Sequence, residues 1–124
     1  MGKKILIVED DVGIRELYGD ILKESGYEVI YAGDGDTAVD MIYSADWDLL
    51  LLDIMLPKLD GVNVLKRINS NAELSQKPVV VVTNLNDEKL IGECISLGAQ
   101  EYVVKSSMDP DDIVSKVQKY IQVE

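Results

Sequence analysis

The stretch Asp48-Leu49-Leu50-Leu51-Leu52-Asp53, followed by Ile54-Met55-Leu56-Pro57-Lys58-Leu59-Asp60-Gly61, decides the fold. Four consecutive leucines between two aspartates neither alternate, as in a half-exposed strand, nor mark one stripe of a surface helix. A short, continuous apolar run bounded by turn residues reads as a strand covered on both faces, the pattern of a parallel sheet. Pro57 disfavours helix at the residue before it, so residues 56–61 read as a loop. Helical spacing resumes over 62–68. Asp53 ends the leucine run at a place where a bare charge is costly without partners.

Outward from that strand, strand and helix patterns alternate to both ends. Toward the N-terminus, residues 4–8 form a second apolar run that stops at Glu9-Asp10-Asp11. Ile14, Leu17, Tyr18, Ile21 and Leu22 then share one helix face, and Gly26 is a plausible stop. Residues 27–31 read as a strand. Gly33 to Asp36 is a loop, with Asp36 the expected cap of a helix carrying Ala38, Val39, Met41 and Ile42. Toward the C-terminus, Pro78 opens a run of four valines that ends at Thr83. Asp87 caps a helix with Leu90, Ile91, Cys94 and Ile95 inward, and Gly98 stops it. Residues 101–105 give a fifth strand. Asp109-Pro110-Asp111-Asp112 starts a last helix, with Ile113, Val114, Val117, Tyr120 and Ile121 inward. Five strands and five helices in strict alternation predict an α/β fold, a doubly wound five-stranded parallel sheet with right-handed crossovers.

Composition bounds the function. With 124 residues, 47% of them apolar, the chain suits one domain over 1–124 with a real core. A net charge of −11 argues against direct contact with nucleic acid or an anionic membrane surface. It is compatible with a cation site, although a solvated acidic surface is the commoner cause. The lone Cys94 rules out an internal disulfide, and no apolar run is long enough to span a membrane, so a cytoplasmic location is expected. With no histidine, the chain holds no phosphohistidine, Ser–His–Asp triad or histidine metal cluster.

In sheets of this kind, ligands bind outside the carboxyl ends of the strands. Glu9 and Asp10 follow the first strand, Asp53 ends the third, Thr83 the fourth and Lys105 the fifth, so the fold gathers them in one crevice. Close carboxylates repel, and one tends to stay protonated unless a cation is present. Oxygen donors of this type suit Mg²⁺. Lys105 supplies a point charge and Thr83 a hydroxyl donor, both matched to a phosphoryl oxygen. Taken singly these residues have plainer readings: Asp10 or Asp11 as a helix cap, Thr83 as a strand-end hydroxyl, Lys105 as a solvated cation. Jointly they point to phosphoryl transfer, with Asp53 as nucleophile.

The chain resembles the receiver domains of bacterial response regulators, the CheY-like family, over essentially its whole length. The resemblance is carried by ILIVEDD at 5–11, LLLLDIMLPKLDG at 49–61, VVVVT at 79–83 and LGAQEYVVK at 97–105. It implies the flavodoxin-like strand order 2-1-3-4-5. It implies Asp53 as phosphoacceptor, Asp10 as a direct Mg²⁺ ligand, Glu9 as an acid reaching the metal through water, and the Met55 carbonyl as a further ligand. Thr83 and Lys105 match the residues that contact the phosphoryl group, and Tyr102 matches an aromatic switch. By pattern alone Tyr102 is an edge-strand aromatic with its hydroxyl in water. The implied partners are a histidine kinase or phosphotransfer protein as donor and a target protein. The face of the fourth helix, fifth strand and fifth helix is the implied output surface, on a monomer.

Departures from the family pattern sharpen the expectations. Ser106 stands where the family usually has a proline in a cis bond, so a trans Lys105–Ser106 bond or a mixture of conformers, with a looser loop, is expected. Asn84 replaces the usual alanine or glycine; it either narrows the phosphoryl approach or adds a hydrogen bond, and slower phosphorylation by small donors is the expectation. Met55 and Leu85 are apolar where the family tunes water access, which predicts a long-lived acyl phosphate. Two alternatives remain: a pseudo-receiver binding module that works without phosphorylation, and a metal-dependent phosphatase with an aspartyl nucleophile. Met55 weighs against the phosphatase, which needs an acid at that position.

Overall fold

The computed structural model describes residues 2–123. Its elements are β1 (Lys4–Val8), α1 (Val12–Glu24), β2 (Glu28–Ala32), α2 (Gly35–Ser44), β3 (Leu49–Leu52), α3 (Gly61–Asn69), β4 (Val79–Thr83), α4 (Glu88–Ser96), β5 (Glu101–Val104) and α5 (Ile113–Gln118). The five strands are parallel, in the order β2-β1-β3-β4-β5. Alternate side chains of the central strands feed two cores. Leu6, Val8, Leu50, Leu52 and Val81 pack with Ile42, Leu65 and Cys94 on one face. Ile5, Ile7, Leu49, Leu51 and Val80 pack with Tyr18, Leu22, Ile113 and Val117 on the other. The unbroken leucine run is therefore two interleaved period-2 patterns, each buried under its own layer of helices.

Aspartates start four of the helices. The carboxylate of Asp11 accepts the N–H of Ile14 at 3.1 Å, Asp34 that of Thr37 at 2.7 Å, Asp60 that of Asn63 at 3.0 Å, and Asp87 that of Lys89 at 3.0 Å. Each such cap contributes roughly 1 kcal/mol, so part of the acidity is spent on helix starts. The α2 cap is Asp34, not Asp36, which lies in the first turn and adds only its charge there. Two helix-face expectations also fail. Leu17 is 44% exposed and Ile95 46% exposed. Each sits one residue, or about 100° of helix rotation, from the buried Tyr18 and Cys94, so the inward stripes are narrower than the apolar pattern.

Two glycines are required by the backbone. Gly26 ends α1 at φ 101, a conformation that a side chain strongly disfavours. Gly61 passes so close to β3 that a Cβ would lie 2.3 Å from the Asp53 carbonyl oxygen. That approach, fixed by the Gly61 N–H bond to the Ile54 carbonyl at 2.9 Å, folds residues 54–60 back over the end of β3.

Candidate functional site: an acidic cleft at the carboxyl edge of the sheet

The sheet register brings the site together. Val8 pairs with Leu52, so Glu9 and Asp53 emerge side by side, and the Asp53 N–H continues the ladder to the Val8 carbonyl at 3.0 Å. Thr83 pairs with Val104, which places Lys105 one step beyond the paired ends. These ends open into a cleft of about 810 Å³ whose walls include Glu9, Asp10, Asp53, Met55, Asn84 and Lys105. Leu85 also lines it.

Lys105 is the centre of the charge network. Its ammonium donates to Asp53 Oδ2 at 2.8 Å and to Glu9 Oε1. The three side chains are only 10%, 6% and 4% exposed. The second oxygen of each acid is also held: Asp53 Oδ1 accepts the Met55 N–H at 3.1 Å, and Glu9 Oε2 accepts the Asp11 N–H at 3.1 Å. Burial pushes the Glu9 carboxyl up from its ordinary value, and the Lys105 and Asp11 contacts offset this only in part. Burial opposes the charge on Lys105 too, but the hydrogen bonds to Asp53 and Glu9 outweigh it and hold its pKa up. Asp11 takes the capping role, which leaves the exposed Asp10 free for the cleft.

One carboxylate oxygen from each of Glu9, Asp10 and Asp53 lies within 4.8 Å of the other two. Three carboxylates face one ammonium, so with all four groups ionised the site carries two uncompensated negative charges. The all-oxygen donor set and the charge deficit both fit a hard divalent cation such as Mg²⁺.

The remaining predicted residues stand behind the cleft wall. Thr83 is fully buried at the end of β4, its hydroxyl 3.5 Å from the Leu85 N–H. Tyr102 does not leave its hydroxyl in water: it donates to the Leu85 carbonyl at 2.7 Å, and the ring packs against the core. The edge of β5 lies under the loop after β4, and the loop carbonyl supplies the partner the strand pattern could not reveal. Loss of hydration pushes the Tyr102 phenol up to about 12. Among the described residues no peptide bond is cis, so Lys105–Ser106 is trans, as Ser106 implied. Lys105 nevertheless reaches both acids. Asn84 adds a hydrogen bond: its Oδ1 accepts the Ser106 N–H at 3.1 Å.

Sequence reading missed Arg15, whose guanidinium donates to the Glu9 carbonyl at 3.0 Å and packs beside the Tyr31 ring, 6.0 Å from its centre. Arg15 secures the backbone of the acid loop from the first turns of α1. The only linear trace is a cation four residues after the Asp11 cap, and that spacing has many other causes.

The model of the response regulator receiver domain matches residues 5–118, and the chain belongs to that family. Solved structures agree. A CheY-like receiver domain protein from Methanospirillum hungatei is 28% identical with a TM-score of 0.87, covering 94% of this chain and 91% of its own. Chemotaxis protein CheY4 of Vibrio cholerae is 25% identical with a TM-score of 0.88, covering 98% and 100%. The Mn²⁺-bound response regulator Rcp1 is 31% identical with a TM-score of 0.86, covering 98% and 99%. The general function of such domains is that of a phosphorylation switch, a regulatory device rather than an enzyme acting on free substrate. No helix among the described residues is long and apolar enough to cross a membrane.

Proposed function

We propose that this domain accepts a phosphoryl group on Asp53, with Mg²⁺ bound, and passes the change to a protein target. The observation that carries the reading is the cluster of three carboxylates around one ammonium in an open cleft. Glu9, Asp10, Asp53 and the Met55 carbonyl would hold the cation, which when bound supplies positive charge against the incoming phosphoryl oxygens. Asp53 attacks phosphorus with one carboxylate oxygen. The bond from phosphorus to the donor breaks, and the electron pair leaves with the donor, a phosphohistidine of a kinase or phosphotransfer protein. Lys105 moves from Asp53 Oδ2 to a phosphoryl oxygen, exchanging one anionic partner for another, so that its charge stays compensated.

The response is transmitted through Thr83 and Tyr102. The Thr83 hydroxyl stands at the end of β4, and the loop it starts is tied to Tyr102 through Leu85. Moving the domain from mostly off to mostly on requires roughly 5 kcal/mol of differential binding. New contacts of the phosphoryl group to Thr83 and Lys105 favour one state, and α4, β5 and α5 carry the altered surface to the partner. Met55 and Leu85 offer no group that orients an attacking water, so the acyl phosphate is long-lived. No nucleic-acid or membrane partner is involved, and the domain acts as a cytoplasmic monomer.

Intact mass after incubation with Mg²⁺ and acetyl phosphate tests this reading. Wild type gains one phosphoryl group per chain, and Asp53→Asn gains none. If wild type gains none from acetyl phosphate or from a panel of kinases, a phosphorylation-independent binding module replaces this proposal.

A further inference from the structure

Among the described residues, no strand partner holds the backbone beyond Val104 that aims Lys105. The β4–β5 register ends at Thr83 with Val104, and β5 is the edge strand of the described sheet. Yet Lys105 must place its ammonium between two buried acids. The next fixed point is the Asn84 Oδ1 contact to the Ser106 N–H, at 3.1 Å. It lies one residue beyond the last paired rung on β4 and two residues beyond it on β5. A side-chain carbonyl thus does for Ser106 what a backbone carbonyl does within the ladder. The turn that follows closes through the Met108 N–H to the Lys105 carbonyl at 3.2 Å.

We infer that Asn84 is a positioning residue for Lys105: its amide oxygen clasps the turn after β5 and so aims the ammonium at Asp53 and Glu9. This inference rests on the proposed function only for the consequence of the aim, not for the aim itself. The residues at 84 and 106 form a matched pair. The clasp needs an N–H at position 106, which proline lacks, and a side-chain acceptor at 84, which alanine and glycine lack. The two departures from the family pattern are therefore one device. The clasp has a second anchor, since Tyr102 grips the Leu85 carbonyl one residue further along the same loop. The loop is held at two points, to the turn by the exposed Asn84 contact and to β5 by the half-buried Tyr102 contact, so a shift of the Thr83 loop carries the Lys105 turn with it.

The sign of the Asn84→Ala effect separates this role from steric narrowing of the cleft. Narrowing predicts faster phosphoryl uptake in the variant. The clasp predicts uptake slower by roughly three- to tenfold, the loss set by one solvent-accessible hydrogen bond. Because Asn84 acts through Lys105, the loss disappears when Asn84→Ala is made in a Lys105→Ala background. Nuclear magnetic resonance on ¹⁵N-labelled protein gives a readout independent of phosphorylation. The Ser106 amide exchanges faster and the Lys105 ammonium signal shifts in Asn84→Ala, while Asn84→Asp, which keeps an acceptor, preserves the Ser106 protection. Unchanged or faster uptake, an equal loss in the Lys105→Ala background, or an unmoved Lys105 signal overturns the inference. If wild type takes up no phosphoryl group, the proposed function fails, and the Lys105 signal still decides the clasp.

Discussion

The two ends of β5 carry two charge clusters built on opposite terms. At the amino end, Glu101 accepts from Lys116 at 3.1 Å, Lys119 at 3.2 Å and the Tyr120 hydroxyl at 2.8 Å. One carboxylate there has a surplus of donors. Burial tends to raise its pKa, but the contacts from Tyr120, Lys116 and Lys119 prevail and hold it below the usual carboxylate range. At the carboxyl end the ratio is reversed, with one ammonium shared by Glu9 and Asp53, and Asp10 adjacent. Burial prevails at Glu9, whose pKa is raised. The first cluster is complete as it stands and fastens α5 to the sheet. The second is short of positive charge, as the proposed binding of a cation and exchange of the lysine contact require.

Lys105→Met tests that contrast most severely. Removing the ammonium leaves two buried acids without their counter-charge, and the variant loses about 3 kcal/mol at neutral pH, measured by urea unfolding. The pH dependence has a definite sign. A carboxylate whose folded-state pKa lies above its unfolded value costs stability when the pH exceeds both and costs nothing below both. Glu9, already raised from 4.5, rises further in the variant, so the deficit shrinks as the pH falls toward 4.5. Mg²⁺ also reduces the deficit, because the variant cleft, one positive charge poorer, binds the cation more tightly than wild type and gains more by mass action. A deficit that is flat in pH and indifferent to Mg²⁺ would mean that the cleft is not short of positive charge.

How much of this contrast could be read from sequence depends on the range of each contact. The acid cleft was legible because the strand runs announce their carboxyl ends, and a parallel sheet collects those ends. Glu9, Asp10, Asp53 and Lys105 needed no knowledge of side-chain direction. The Glu101 cluster was not legible: Lys116, Lys119 and Tyr120 face it only because α5 packs antiparallel to β5, and surface lysines on a helix have no sequence mark of a partner. Asn84 was legible as a departure but not as a clasp, since its partner is a backbone N–H 22 residues away. Tyr102 was misread by strand pattern for the same reason, its acceptor being a loop carbonyl 17 residues earlier.

Tyr102 lies between the two clusters on β5, and Tyr102→Phe isolates its hydroxyl. The Leu85 carbonyl loses its donor, at a cost of about 1 kcal/mol. The wild-type phenol titrates at about 12 against an ordinary value of 10. The folded state keeps a proton that the unfolded state releases, so wild type loses stability as the pH rises through that interval. In Tyr102→Phe this alkaline slope is reduced, which unfolding curves at neutral and alkaline pH detect. An unchanged slope would assign the alkaline loss to other groups and free the loop from the strand.

Glu101→Gln gives the smallest effect. The cluster is partly exposed, with Lys119 half in solvent, so screening leaves about 0.5 kcal/mol at neutral pH. Because the folded-state pKa is depressed, the contribution is present above the unfolded value and fades as the pH falls through the folded one. Wild type and Glu101→Gln therefore converge in acid, as wild type and Lys105→Met do, but for contrary reasons. Glu101 loses a stabilising charge, and Glu9 sheds a destabilising one. Salt separates the two. High ionic strength removes most of the Glu101 difference and little of the Lys105 difference, since buried pairs are screened far less than exposed ones. Equal salt sensitivity at the two ends of β5 would erase the distinction between an exposed, charge-complete cluster and a buried, charge-deficient one.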